Sequence, residues 1–178
     1  PMLTEEERQQ LLVAWNDTRV DYPRDTSIHE GVAQQARRAP EALAVRAGER
    51  GLTYAQLDAR ANEFAAHLRK LGVGRDMRVA VCAERSPELV VGLLAILKAG
   101  GGYVPIDPSS PAERLGYMVE DSGATVLLTQ RHLLPGLPEL SARVVSLDED
   151  VESLAVAHAQ ALPEPTVTSE DLAYVIYT

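Results

Sequence analysis

The chain has 178 residues, with 17 basic and 26 acidic side chains and a formal net charge of −9 at pH 7. A surface this negative repels phosphate backbones and anionic lipids, which excludes non-specific binding to nucleic acid and to membranes. Hydrophobic residues make up 46% and charged residues 24% of the sequence, values that are typical of a globular protein.

Three capping boxes predict helix starts in the first part of the chain. In each box a hydroxyl side chain stands three residues before a glutamate or glutamine that bonds back to its backbone. The boxes are Thr4 with Glu7, Ser27 with Glu30, and Thr53 with Gln56. The first helix is expected at about residues 5 to 15, the second before Pro40, and the third up to a left-handed cap at Gly72. In the first helix, Leu11, Leu12 and Trp15 form a narrow apolar stripe, which is expected to dock on another segment. One apolar face of the second helix is formed by Ile28, Val32 and Ala36, and that of the third by Leu57, Ala61, Phe64 and Leu68.

Strands alternate with helices over the rest of the chain. A hairpin is expected first, with strands at 43–47 and 52–54 around a turn at 48–51. The later strands are predicted at 77–83, 103–106, 124–129, 143–147 and 173–178, with a surface excursion or weak helix at 152–160. The alternation predicts an α/β fold in which a mostly parallel sheet is flanked by crossover helices.

Two of these crossover helices have proline at the start. Ser86 and Pro87 predict a cap followed by a first-turn proline, and the helix after them is apolar almost all round until Gly100. Ser110, with Pro111 and Glu113 after it, predicts a further capping box, whose helix is expected to end at Ser122-Gly123.

The single cysteine, Cys82, excludes an intrachain disulfide and suits a reducing, cytoplasmic location. It lies in an apolar run, so we expect a buried strand residue rather than a reactive thiol. The N-terminus lacks the pattern of a signal peptide, and no apolar run is long enough for a membrane span. The polar start at Pro1 and the apolar end at Thr178 indicate that both ends are cut from a longer protein.

The three glycines at 100–102 are the clearest candidate for a phosphate-binding loop. Phosphate cradles place glycines before a helix, where free N–H groups give positive potential, whereas these glycines follow a helix. We therefore interpret them as a helix cap and a close approach into the next strand. The sequence has neither the dinucleotide-binding fingerprint nor the P-loop pattern, which argues against both of those classes.

Other polar residues give no catalytic constellation by themselves. Asp107 follows a strand, where parallel sheets bind ligands, but it can equally hydrogen-bond its own backbone at a turn. No metal-ligand spacing occurs among the histidines, which are His29, His67, His132 and His158. His29 and His67 lie on predicted helices and are expected to be packed or solvated. The serines at helix ends do not occur in a nucleophile elbow.

Three segments resemble core motifs of the amino-acid-activating (adenylation) domains of nonribosomal peptide synthetases. Residues 52–57, LTYAQL, resemble the first motif, with Gln56 in place of the usual glutamate. Residues 97–107, LKAGGGYVPID, resemble the second, with Gly102 where alanine is common. Residues 172–178, LAYVIYT, resemble the lead into the third motif, a loop rich in serine, threonine and glycine that binds phosphates.

The resemblance implies the N-terminal portion of the large subdomain of an adenylate-forming enzyme, truncated before the phosphate loop. Residues 1–18 would be a linker helix after an upstream condensation domain, and residues 19–178 the adenylation domain's first part. The parent would convert ATP and an amino acid to aminoacyl-AMP and pyrophosphate, with Mg²⁺ on the triphosphate. The acyl group would then pass to the phosphopantetheine thiol of a carrier domain, in the biosynthesis of a secondary metabolite such as an antibiotic.

The same resemblance assigns one binding contact and several partners. Thr178 would begin the ATP phosphate loop, although a plain strand-end threonine explains it as well. The expected partners are the rest of the adenylation domain, condensation and peptidyl carrier domains, and an MbtH-like protein. No catalytic residue, metal ligand or cofactor is expected on residues 1–178 alone, so we expect a scaffold without ATP–pyrophosphate exchange.

Two alternatives stay open at this point. The first is an acyl- or aryl-acid-activating ligase of the same superfamily, which would share the scaffold but take a different acid. The second is a free-standing α/β interaction module with no chemistry of its own. A third class, the NAD-dependent oxidoreductases, is disfavoured because the glycine fingerprint is missing.

Overall fold

A computed structural model of the chain describes residues 3–148 and 167–178. The predicted excursion at 152–160, which includes His158, lies outside these residues. The described helices are α1 (Glu5–Leu12), α2 (Ile28–Arg38), α3 (Tyr54–Lys70), α4 (Pro87–Lys98) and α5 (Ala112–Asp121). The described strands are β1 (Leu43–Ala47), β2 (Arg50–Thr53), β3 (Arg78–Cys82), β4 (Gly102–Ile106), β5 (Val126–Thr129) and β6 (Arg143–Ser146). None of the described helices is both long and apolar enough to cross a lipid bilayer.

Four strands form a parallel sheet in the order β4-β3-β5-β6, which confirms the predicted α/β class. In register, Val81 of β3 lies between Pro105 of β4 and Leu128 of β5. The hairpin prediction is also confirmed, because β1 and β2 pair antiparallel around Gly48, whose φ is +61°. Glycine suits this turn since the left-handed conformation strains other side chains.

Both faces of the sheet are covered. Val79 and Val81 of β3 point to one layer, in which Phe64 of α3 and Ile96 of α4 are fully buried. Ala80 and Cys82 point to the other layer, which includes Leu115, Met118 and Val119 of α5. Burial on both faces explains why β3 is a continuous apolar run instead of an alternating one.

The helix signals are confirmed in α1, α2, α3 and α4. The capping boxes at Thr4, Ser27 and Thr53 are all formed, and Ser86 caps α4 with Pro87 in its first turn. The predicted inward residues of α3 are all buried: Leu57, Ala61, Phe64 and Leu68. These starts are predictable because capping depends on residues only three positions apart.

Three details of the helix predictions are wrong. The first helix ends at Leu12, and a separate 3₁₀ turn, Ala14–Asn16, follows it; neither has a buried residue. Ile28 of α2 is also exposed. Ser110 does not cap α5, because Pro111 occupies the cap position and the helix has no side-chain cap. The Ser110 N–H instead donates to the Asp107 carbonyl in the preceding turn.

The glycines at 100–102 confirm the interpretation as a cap and a close approach. Gly100 ends α4 with φ of +92°, and Gly102 N donates to the Met77 carbonyl at 2.8 Å. A Cβ on Gly101 would lie 2.9 Å from the same carbonyl oxygen, closer than real side chains come. The cluster therefore lets α4 turn tightly into β4.

The predicted strand at 173–178 is wrong in its extent. A single parallel bridge joins Tyr174 to Tyr103 of β4, through Tyr103 N to Ala173 O at 3.0 Å and Val175 N to Tyr103 O at 2.9 Å. The residues after it form no ladder with the described strands, so the alternating apolar pattern alone did not produce a strand. The segment still lies alongside β4 and runs parallel to it.

Candidate functional site

The Asp107 carboxylate closes a turn directly after β4. It accepts hydrogen bonds from the backbone N–H of Ser109 at 2.8 Å and from the Ser109 hydroxyl at 2.7 Å. These hydrogen bonds, the backbone one first, hold the pKa of Asp107 below its ordinary value. The interpretation of Asp107 as a turn residue is thus confirmed. Its carboxylate stabilises the connection between β4 and α5.

A buried amide that the sequence analysis missed ties β5 to the start of α4. The Gln130 Oε1 accepts from Glu84 N at 2.7 Å, and its Nε2 donates to the Ser86 hydroxyl at 3.2 Å. The same hydroxyl accepts from Leu89 N at 3.1 Å as the helix cap. Gln130 therefore positions the cap of α4 from the end of β5.

Lys98 of the second motif connects α4 to α3. Its ammonium donates to Asp58 at 2.8 Å and to Asn62 at 2.6 Å. The Arg69 side chain donates to the Lys98 carbonyl at 3.3 Å, which satisfies an acceptor at the end of α4. The conspicuous cation of this motif therefore has a structural role within the described residues.

The segment 168–178 is fastened to the rest of the fold at three places. At its start, Asp171 forms a salt bridge with Arg75 at 2.6 Å, and only 4% of its side chain is exposed. The Thr168 N–H also donates to Asp171, and this hydrogen bond, against the opposing effect of burial and together with Arg75, lowers the pKa of Asp171. The bridge to Tyr103 is the second attachment.

The third attachment lies beside the end of the segment. The Tyr177 hydroxyl donates to the Asp121 carboxylate at 2.6 Å, at the last residue of α5. This hydrogen bond, with burial and the Asp121 charge adding to it, raises the pKa of Tyr177 to about 12. The sequence motif included Tyr177, but no local signal indicated Asp121, which lies 56 residues earlier.

Thr178, the one predicted binding residue, follows this anchored tyrosine directly. It is exposed. The arrangement thus fixes the backbone immediately before Thr178. Within the described part of the chain, Thr178 is the one residue with a predicted phosphate contact.

Comparison with known sequences gives matches along the whole chain. The AMP-binding enzyme family matches residues 32–178. A linear gramicidin synthase of Brevibacillus parabrevis is 49% identical over 178 residues, which cover 100% of this chain and 4% of that protein. Tyrocidine synthase 3 of the same organism is 46% identical over 181 positions, covering 99% of this chain and 3% of that protein. The chain therefore spans only a few per cent of these relatives.

Solved structures show the same architecture. The nonribosomal peptide synthetase FmoA3 matches with a TM-score of 0.84 and 35% identity, over 99% of this chain and 18% of that one. The N-terminal subdomain of Klebsiella oxytoca NpsA, in complex with 3-hydroxybenzoyl-AMSN, matches with a TM-score of 0.73 over 86% of this chain and 38% of that one. Its identity is 24%, so this second likeness bears on the fold alone. The motifs, the parallel sheet and the match over residues 32–178 together show that the chain belongs to the AMP-binding enzyme family.

Proposed function

We propose that the chain is the first part of an amino-acid-activating adenylation domain in a nonribosomal peptide synthetase. The longer protein would form aminoacyl-AMP and pyrophosphate from ATP and an amino acid, then pass the acyl group to a carrier thiol. In this proposal residues 1–18 link the domain to an upstream condensation domain, and residues 19–178 begin the adenylation domain itself.

The observation that supports this proposal most directly is the mounting of Thr178. The backbone before it is attached to Arg75, Tyr103 and Asp121. Catalysis of this kind depends on donors that are held in place before the substrate arrives. The relative FmoA3 has also been solved in an AMPPNP-bound form and in an alpha-methyl-L-serine-AMP-bound form.

The contribution of the described residues is that of a rigid support. The sheet, with α3 and α4 on one face and α5 on the other, fixes the position from which the chain continues past Thr178. We propose that Thr178 gives the first hydroxyl contact to the ATP phosphates. ATP with Mg²⁺ supplies the electrophilic α-phosphorus, and the chain following Thr178 would complete the anion-binding loop.

The partners follow from the same proposal. Condensation and peptidyl carrier domains would lie on the same polypeptide, as the small fraction of each relative that this chain covers suggests. The exposed apolar residues of the N-terminal segment, Leu11, Leu12 and Trp15, favour a neighbour that covers them. We also propose a cytoplasmic location and, as an optional helper, an MbtH-like protein.

The test is amino-acid-dependent exchange of labelled pyrophosphate into ATP. We expect the longer protein to catalyse exchange with an amino acid, and residues 1–178 alone to catalyse none. Exchange by residues 1–178 alone would refute the scaffold role. Exchange by the longer protein with aryl or fatty acids only would replace the proposal by the related ligases.

A pair of variants of the longer protein tests Thr178. Thr178→Ala should raise KM for ATP or lower kcat by about tenfold, because one phosphate donor is lost. Thr178→Ser keeps the hydroxyl and should stay within about twofold of the wild type. Equal exchange by all three proteins would show that Thr178 only ends a strand-like segment.

A further inference from the structure

The contact between Tyr177 and Asp121 is the attachment nearest to Thr178 in sequence. Its two oxygens are 2.6 Å apart, and the acceptor is the carboxylate of the last residue of α5. Hydrogen bonds to charged groups are shorter and stronger than neutral ones, which suits a contact that holds this segment against α5. The residue that follows Tyr177 is Thr178, the proposed start of the phosphate loop.

The other attachments fix the segment further upstream. The salt bridge of Asp171 with Arg75 lies seven residues before Thr178, and the bridge of Tyr174 to β4 lies four residues before it. Between Val175 and Thr178 no backbone hydrogen bond to the described residues fixes the chain. The hydrogen bond of the Tyr177 side chain therefore fixes the position of the backbone just before Thr178.

We propose that Asp121 is a positioning residue for the phosphate loop, which it holds through the Tyr177 hydroxyl. The Asp121 side chain acts on the backbone that presents Thr178 and does not itself touch substrate. This inference rests on the proposed function for its effect on ATP, but the attachment itself can be measured without any activity.

The surroundings of the pair favour a fixed contact. Tyr177 packs against the layer formed by α5 and the sheet, so its ring is held as well as its hydroxyl. Arg78 of β3 lies beside Gly123, just after α5, and its charge lowers the pKa of Tyr177, whereas Tyr117 raises it. Asp121 is thus placed where the end of α5, the start of β3 and the segment 168–178 come together.

The variants separate the hydrogen bond from the packing of the ring. Tyr177→Phe removes the donor and keeps the ring, and Asp121→Ala removes the acceptor. Asp121→Asn keeps a neutral acceptor oxygen, so it should retain most of the attachment that Asp121→Ala loses. The matched control is Glu120→Ala, since this side chain is exposed on α5 next to Asp121 and has no hydrogen bond or ion pair that the described part of the chain records.

The first measurement is hydrogen–deuterium exchange of the longer protein without ligand. In Tyr177→Phe and Asp121→Ala, the peptide covering 174–178 and the residues after it should exchange about fivefold faster, while the peptide of β4 stays unchanged. The control variant Glu120→Ala should change neither peptide. Unchanged exchange at 174–178 in both variants would overturn the attachment, whatever the protein's activity.

The second measurement is the exchange of pyrophosphate into ATP. Tyr177→Phe and Asp121→Ala should each raise KM for ATP about three- to tenfold, with KM for the amino acid unchanged, and the double variant should match either single one. A general loss of folding would instead reduce the amount of active enzyme and leave both KM values alone. Equal increases in both KM values, or additive effects, would contradict a role in positioning the phosphate loop.

The two measurements also distinguish this inference from the proposed function. A wild-type longer protein that lacks amino-acid-dependent exchange would overturn the proposed function and, with it, any role of Asp121 towards ATP. Normal wild-type exchange together with unchanged hydrogen exchange in the variants would overturn only the inference about Asp121.

Discussion

At the scale of single residues, aspartates fasten the connections around the sheet. Asp107 closes the turn after β4 through Ser109. Asp148 accepts from the Ser146 hydroxyl at 2.6 Å and from Arg131 N at 3.0 Å. Burial alone would raise the pKa of Asp148, but these hydrogen bonds outweigh it and lower that pKa. These hydrogen bonds are strongest when the carboxyl groups are ionised, so the stability that they add to the connections depends on pH.

Cys82 is predicted to be chemically inert in the folded chain. Its side chain is 1% exposed, and burial, with a smaller contribution from the Asp107 charge, raises its pKa to about 11. Because the thiolate is the nucleophile, alkylation by iodoacetamide at pH 8 should be about a hundredfold slower than in urea. Intact-mass measurement over time checks this, with the urea-unfolded chain as the control. Comparable rates in both conditions would show that β3 is open to solvent.

At the scale of elements, glycine decides how closely α4 and β4 approach their neighbours. A Cβ on Gly101 would meet the Met77 carbonyl at 2.9 Å and a Val73 methyl at 3.0 Å. The carbonyl belongs to the backbone just before β3, so it cannot move aside without disturbing the sheet. The close approach is therefore a property of the backbone path and needs no ligand to explain it.

Gly101→Ala should lower the free energy of unfolding by about 2 kcal/mol, as overpacking of a filled site does. Urea denaturation of the chain followed by circular dichroism measures the effect. Gly74→Ala is the matched control, because no described atom lies within 4 Å of a Cβ built there, and it should change stability by less than about 0.5 kcal/mol. Equal stability of both variants would mean that the backbone around Gly101 relaxes freely.

At the scale of the whole molecule, the features that could be predicted are those determined by nearby residues. The capping box of Thr53 with Gln56 and the left-handed Gly100 depend on a few neighbours, and both are present. The attachments of the segment 168–178 join residues 56 and 96 positions apart, and a single sequence gives no signal for such pairs. Trp15 shows a related limit, since the sequence places it in the first helical segment but gives no signal that its side chain is 64% exposed among the described residues.

Resistance to acid is a further property of the whole molecule, because it combines the aspartates of several connections. The pKa values of Asp107, Asp148 and Asp171 are all lowered in the folded chain. Between the folded and unfolded pKa values, the unfolded chain binds more protons, so stability rises with pH in that range. Their contribution is fully present above about pH 4 and is lost as the pH falls through the lower folded values.

We therefore expect the thermal unfolding midpoint of the chain to fall steadily between about pH 4 and pH 2. Asp171→Asn should lower the midpoint at pH 7, because the charge opposite Arg75 is removed, and should make the decline in acid shallower. Scanning calorimetry of both proteins across this range measures the two slopes. A wild-type midpoint that rises on acidification, or parallel slopes for the two proteins, would show that Asp171 is not stabilised in its ionised form by the fold.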